Sequence, residues 1–432
     1  MEARAKAEWD PLKKVFIHRP GIEMFFGLLD PEGSLYERAF SVKGALSEHS
    51  LIENALKQEF NIDVRRLKDE ILNAADKSQA IRNKLIKKAR EVLFYEARNA
   101  DKALAEFDRN AKYLDNEHFF NILVLNPGID TICDKGINCI NLKVLDKVPL
   151  CNLFFMRDQQ FVTDKGVVLS RMASGVRRGE VALTKFLWED VLNVPIALEI
   201  KAPGCIEGGE FIPMGKFALV GVGSRTNQEA IDQLLTLDFD YEEIGVVHQP
   251  MHPLIDSKEP DTMINMHLDT YFNVPSSEEV IASELLIKHA KVDIYHKEGP
   301  GNYVKDDREI NLYDYITSKG FRVINLTTLE QMSYASNFLT ISNKKILAIE
   351  VERVVDDVLN NLQIKAKANP KRYGKLFDQA KADYKQLKSE GQFFPHKKEL
   401  YEAGIDFYPL ILKNLTGGFG GAHCMTCGLL RG

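Results

Sequence analysis

The chain has 432 residues, with 56 Lys plus Arg against 62 Asp plus Glu, a formal charge of −6, and 45% hydrophobic and 27% charged residues. That is the composition of a folded globular protein with a sizeable core, and it excludes a disordered, fibrous or disulfide-stapled chain. The acidic balance gives no reason to expect nucleic acid or an anionic membrane as partner. There is no run of about 18 apolar residues to read as a membrane span. The six cysteines (Cys133, Cys139, Cys151, Cys205, Cys424 and Cys427) are spread too thinly for a disulfide framework. With a polar start over residues 1–11, they point to a reducing cytoplasm.

Val15-Phe16-Ile17 reads as a short buried strand stopped by Arg19-Pro20-Gly21. From about Ser47 to Leu114 glycine and proline are absent. Leu51, Ile52, Ala55, Leu56 and Phe60, then Ile81, Leu85, Ile86, Ala89 and Val92, recur at helical spacing. The pattern predicts a helical bundle over 44–118, inserted between a first part at 1–43 and the remainder at 119–432. After Phe119 apolar runs alternate with tight turns. Gln160–Thr163 with Val167–Ser170, Phe211–Pro213 with Phe217–Val222, and Phe338–Ile341 with Lys345–Ile349 read as hairpins, and His267–Phe272 opens a fourth unit. Helical patterns follow each, at Val181–Leu192, Glu229–Leu235, Ser277–Leu286 and Val354–Leu362. Repeated strand-strand-helix units predict a radial or closed α/β arrangement. The charged stretch at about 354–398 reads as a solvated helical excursion without chemistry of its own.

Acidic residues stand just ahead of three hairpins: Asp158, then Glu207 and Glu210 around Gly208-Gly209, then Asp269 two residues after His267. If the units surround an axis, these side chains converge, and clustered carboxylates need a cation among them. A guanidinium fits because its fork of donors pairs bidentately with carboxylates. A metal is the rival reading; the His248-Gln249-Pro250-Met251-His252 spacing speaks against it, since Pro250 breaks the helix that would align both rings. Near the C-terminus, the glycine-rich run 417–421 leads into His423-Cys424-Met425-Thr426-Cys427. Glycine admits close backbone approach, and Cys424 there reads as an accessible nucleophile. A redox pair lacks a thioredoxin-like setting, and half a zinc site lacks its second pair.

Asn152-Leu153-Phe154-Phe155-Met156-Arg157-Asp158, Glu207-Gly208-Gly209-Glu210, Met266-His267-Leu268-Asp269 and Gly421-Ala422-His423-Cys424-Met425-Thr426-Cys427, in that order, resemble the arginine deiminase family of guanidino-modifying enzymes. The resemblance implies a five-bladed α/β propeller (pentein type) with an inserted helical bundle. It implies that Cys424 attacks the guanidinium carbon, that Asp158 and Asp269 hold the nitrogens, and that His267 and Glu207 manage protons. Free L-arginine would be hydrolysed to citrulline and ammonia through an S-alkylthiouronium adduct, without metal or organic cofactor. Asn152, Arg177, Arg225 and Glu210 would contact substrate, the two arginines as forks for its α-carboxylate, which disfavours agmatine. The implied partner is a small molecule; self-association stays open. Two departures stand out: Glu210 where the family usually has Asp, and Phe419 where it often has Arg. An arginine dihydrolase, an amidinotransferase and a guanidino-binding protein without turnover are the alternatives.

Overall fold

The computed structural model describes residues 2–97, 99–130, 143–259, 261 and 263–432. Cys133 and Cys139 lie outside the described residues; Cys151, Cys205, Cys424 and Cys427 are free thiols. No helix among the described residues is long and apolar enough to cross a membrane.

Among the described residues the strands form six sheets. Five of them share one pattern, an antiparallel pair whose second strand has a parallel neighbour. In the first, Cys427–Arg431 runs antiparallel to Leu12–Ile17, which lies parallel to Asp63–Arg66. The second joins Gln160–Thr163, Gly166–Leu169 and Ile196–Glu199. The third joins Phe211–Pro213, Phe217–Val222 and Glu243–His248. The fourth joins Phe272–Asn273, Glu279–Ala282 and Arg322–Asn325. The fifth joins Leu339–Ser342, Lys345–Ile349 and Asp406–Leu410. A parallel neighbour requires a crossover, and helices supply it, such as Val42–Asn54, Arg178–Phe186, Gln228–Leu234 and Leu312–Ser318.

The turns of three hairpins each hold one residue in the left-handed region: Gly166 (φ 116°), Gly215 (φ 79°) and Lys344 (φ 64°). Glycine meets that requirement without a Cβ penalty at the first two. The middle strands such as Gly166–Leu169 and Lys345–Ile349 are buried on both faces, so they read as continuous apolar runs rather than alternating ones.

Three expectations change. Residues 44–118 are not all helical insert, because Asp63–Arg66 pairs with Leu12–Ile17 and the helix before it is the first crossover. The helices Leu67–Lys77, Gln79–Val92, Ala100–Asn110 and Asn116–Leu125 follow that strand. Ser277–Leu286 is chiefly strand: Val280, Ile281 and Ala282 are fully buried between neighbours, and burial overrides the weak helical spacing. The stretch 354–398 is two long helices, Val355–Ala368 and Pro370–Glu390, but not a solvated excursion. Val355, Val358, Leu362, Leu376, Ala380 and Leu387 join the core, and Asp383 accepts the Leu329 N–H at 3.0 Å.

Candidate active site

One rule positions the chemistry. Each of the five sheets delivers a polar side chain from the segment just ahead of the first strand of its antiparallel pair. Asp158 precedes Gln160–Thr163, Glu207 precedes Phe211–Pro213, His267 and Asp269 precede Phe272–Asn273, Asn337 precedes Leu339–Ser342, and Cys424 precedes Cys427–Arg431. These lead-ins are short turns whose side chains leave the sheet end instead of lying on a sheet face. Gly208 and Gly209 allow the crowding: a Cβ on the first would lie 2.0 Å from the Arg157 carbonyl oxygen, and on the second 2.8 Å from His267 Nδ1.

The result is a cavity with about 360 Å³ not filled by atoms, lined by Asn152, Asp158, Arg177, Glu207, Arg225, His267 and Cys424 with apolar Leu35, Phe155, Met263, Met266 and Phe419. Cys424, His267, Glu207, Asp158 and Asp269 are between 0% and 3% exposed. Asn337 organises the nucleophile: its Nδ2 donates to Cys424 Sγ at 3.1 Å, and its Oδ1 accepts the N–H groups of Gly421 (2.8 Å) and Cys424 (3.0 Å). Cys424 Sγ lies 3.5 Å from Asp269 Oδ2. Burial, then the negative charges of Asp269 and Asp158, push this thiol well above the ordinary cysteine range, outweighing the Asn337 donor.

His267 and Glu207 form a second pair, Nε2 to Oε2 at 2.9 Å. Burial lowers the imidazole, but the Glu207 hydrogen bond and the charges of Asp158 and Glu207 raise it to about 9. Glu207 in turn would be raised by burial, yet His267, Arg225 and Arg177 hold it down at about 2. At neutral pH the pair is an imidazolium and a carboxylate.

Asp269 is braced from behind. His423 Nδ1 donates to its Oδ2 at 2.7 Å, and His423 Nε2 lies 3.4 Å from Glu8, which pairs with Arg431 at 2.7 Å. Arg157 Nε donates to the carbonyls of His423 (3.2 Å) and Thr426 (3.1 Å), fixing the cysteine loop. Two buried carboxylate oxygens, Asp158 Oδ1 and Asp269 Oδ1, have no hydrogen-bond partner among the described residues. Buried acceptors left unpaired cost about 1–3 kcal/mol each, so the site is built for a donor-rich guest.

The structure brings Asn152, Arg177 and Arg225 to the cavity, but in different states. Arg225 is buried, its Nε unpartnered, with Nη2 3.6 Å from Met263 Sδ; it is ready for an anion. Arg177 is not an open fork. Its Nη2 donates to Glu180 at 2.9 Å, its Nη1 meets Asp158 at 2.6 Å, and Glu207 is 4.0 Å away. Asn152 donates through Nδ2 to the Ser34 carbonyl at 2.7 Å. Glu210, like the fully buried Asp269 behind Cys424, is not among the cavity-lining residues: its Oε2 accepts the Leu268 N–H at 2.8 Å, and burial raises it to about 7. It supports the lead-in that carries His267 and Asp269. Phe419 reaches the cavity in the left-handed region (φ 70°), a strained conformation for an aromatic residue.

Asp158, Glu207 and His267 also have metal-ligand spacing, with atoms within 4.8 Å of one another. Metal binding needs a neutral imidazole. Here His267 is held protonated and Arg177 already faces two of the carboxylates, which favours an organic cation. Sequence reasoning missed Asn337, Glu180, His423 and Glu8. Asn337 had a usable signal, since it stands two residues ahead of a hairpin strand as Asp158 does.

Acids, a sulfur and a proton donor brought together at one cavity suit chemistry on a guanidino carbon, and the protein is a hydrolase acting on guanidino carbon–nitrogen bonds. A family model described as arginine deiminase matches residues 33–431, and the chain belongs to that family. It is 26% identical to the arginine deiminase of Halobacterium salinarum, across 100% of this chain and 97% of that one. It is 26% identical to that of Treponema denticola, across 84% and 92%. Among solved structures, a cysteine-to-serine variant of DDAH from Pseudomonas aeruginosa complexed with citrulline superposes with a TM-score of 0.50 at 14% identity, covering 96% of this chain and 99% of that one; this likeness shows a shared fold.

Proposed function

We propose that the protein hydrolyses the guanidinium group of free L-arginine to L-citrulline and ammonia through a covalent adduct on Cys424. The observation that carries this reading is the pair of unpartnered, buried oxygens, Asp158 Oδ1 and Asp269 Oδ1, with Cys424 Sγ 3.5 Å from the second carboxylate. A guanidinium seated between the carboxylates gives its N–H groups to those oxygens and presents its carbon to the sulfur. Its positive charge offsets the two negative charges that keep the thiol protonated, so substrate binding itself promotes loss of the thiol proton to solvent.

The thiolate adds to the guanidinium carbon. His267, protonated because Glu207 holds it so, gives its proton to the departing nitrogen as the carbon–nitrogen bond breaks; ammonia leaves and an S-alkylthiouronium remains. The neutral His267 then takes a proton from water as the oxygen adds. The carbon–sulfur bond breaks, the leaving sulfur takes up the proton that remains on the oxygen, and citrulline and the Cys424 thiol form. Arg225 receives the substrate α-carboxylate. Arg177 contributes once the guest has taken over Asp158, which frees its Nη1. Lead-ins from four of the five like-patterned sheets line one cavity, and Asn337 of the remaining one holds Cys424, which supports a five-bladed propeller arrangement.

Incubation with L-arginine and mass spectrometry of every product tests the reading. Citrulline and ammonia in equal amounts are expected, and none from Cys424→Ala. Citrulline from that variant would reject the covalent route, and ornithine with carbon dioxide would move the protein to the dihydrolases.

A further inference from the structure

The two long helices at 355–390 have a place in the arginine reading, on which the following rests. Two cavity-lining residues, Met263 and Met266, stand between Glu243–His248 and His267 in the chain, close to Asp261. Asp261 is 7% exposed and fully engaged. Its Oδ1 accepts the N–H groups of Met263 (3.0 Å) and Ile264 (3.2 Å), forming the turn that sets Met263. Its Oδ2 accepts from Arg372 Nη2 (3.2 Å) and Tyr373 O–H (3.0 Å), both in the first turn of Pro370–Glu390. Met263 Sδ in turn receives Arg225 Nη2 at 3.6 Å. Lys365 Nζ of Val355–Ala368 lies 5.8 Å from the centroid of the Phe419 ring, and Phe419 packs in one apolar cluster with Met266, Tyr334 and Met263. The helix pair is anchored in the core through Leu362, Leu376 and Leu387, so it is a firm base for this part of the cavity lining.

We propose that this helix pair positions the substrate-binding mouth, with Arg372 and Tyr373 holding Asp261, Asp261 setting Met263, and Met263 steadying Arg225 for the substrate carboxylate. Arg372, Tyr373 and Asp261 are positioning residues; none touches the reacting atoms. Their loss loosens a binding contact and leaves the sulfur, the acids and His267 where they are. It therefore raises KM for arginine and spares kcat.

The test compares the full-length protein with Tyr373→Phe and the double variant Arg372→Gln/Tyr373→Phe. Two charge-assisted hydrogen bonds are removed in the double variant, and partial transmission to Arg225 gives a KM rise on the order of tenfold, with kcat within twofold and the thermal midpoint unchanged. Hydrogen exchange of the Met263 and Ile264 amides, read without turnover, accelerates as their acceptor loosens. Arg372→Lys restores part of the KM. Unchanged exchange, an unchanged KM, or a fall in kcat matching a fall in thermal midpoint overturns the proposal. Absence of citrulline from the wild-type protein defeats the arginine reading instead, and exchange alone then decides whether the helices hold the mouth.

Discussion

Asp269→Asn should make Cys424 more reactive while destroying turnover. The Cys424 sulfur lies 3.5 Å from the Asp269 carboxylate. Two unit charges at that distance repel by about 5 kcal/mol at an effective dielectric of about 20. At about 1.4 kcal/mol per decade, removing the charge raises the thiolate fraction at neutral pH by up to about three decades. A less basic thiolate is also a weaker nucleophile, with a sensitivity of about 0.4–0.5. The net gain in alkylation rate is therefore about 30- to 100-fold.

The assay follows iodoacetamide labelling of the peptide carrying Cys424 by mass spectrometry at pH 7, which separates it from the part-exposed Cys205. Cys427, pushed by burial to about 11, provides an internal silent thiol. Citrulline formation falls by orders of magnitude in the same variant, because one of the two unpartnered guanidinium acceptors is gone. Labelling within threefold of wild type, or slower, would show that Asp269 does not hold the thiol protonated, and the substrate-driven ionisation would lose its basis.

Glu207→Gln removes the main support for the protonated His267, whose imidazole stands at about 9. The alkaline limb of kcat/KM, set in wild type by loss of that proton, should move toward lower pH; an unmoved limb would exclude His267 as the acid. The same pair ties stability to pH. His267, raised from 6.5, contributes stability that is complete below that value and lost as pH rises through about 9. Glu207, lowered from 4.5, contributes stability present above that value and lost as pH falls through about 2. Arg225→Gln should raise KM for arginine by about 10- to 100-fold with a small effect on kcat, since a charge-assisted contact contributes about 1.5–3 kcal/mol; an unchanged KM places the carboxylate elsewhere. Glu8→Ala strands Arg431, Arg157 and His423 around a buried gap and should cost about 3–5 kcal/mol in urea unfolding; a loss under 1 kcal/mol would show that the network is solvated.

The site was legible in the sequence to the extent that its residues are local to a hairpin. Asp158, Glu207, His267 and Asp269 each sit two to five residues ahead of a strand that turn chemistry and apolar runs mark out, so the convergence of the acids followed once the units were taken to surround an axis, whereas Cys424 joined them only through the family resemblance. Partners set by distant chain segments were not legible. Glu8 meets Arg431 across a separation of 423 residues, and nothing in either neighbourhood announces the other. The charge pattern of 355–390 hid its buried face because Leu362, Leu376, Ala380 and Leu387 are spaced among lysines and acids whose own side chains point outward. Ser277–Leu286 failed for the opposite reason: a strand buried on both faces has no alternation to show.

Arg177 shows where a residue can be placed in the right cavity and still be misread. The family resemblance, with its place just after the hairpin Gln160–Ser170, brought it to the site, but its state depends on Glu180, one turn along the same helical segment, and on Asp158. Both are strong acceptors, so in the empty site its guanidinium stands where a substrate guanidinium would also find a carboxylate. On the proposed reading the two cations compete for Asp158 Oδ2, while Oδ1 has no hydrogen-bond partner, with His267 Nδ1 3.9 Å away. Because Glu180 keeps its own grip on Arg177 at 2.9 Å, displacement from Asp158 does not strand a buried charge. On the proposed reading, the exchange therefore passes between paired states.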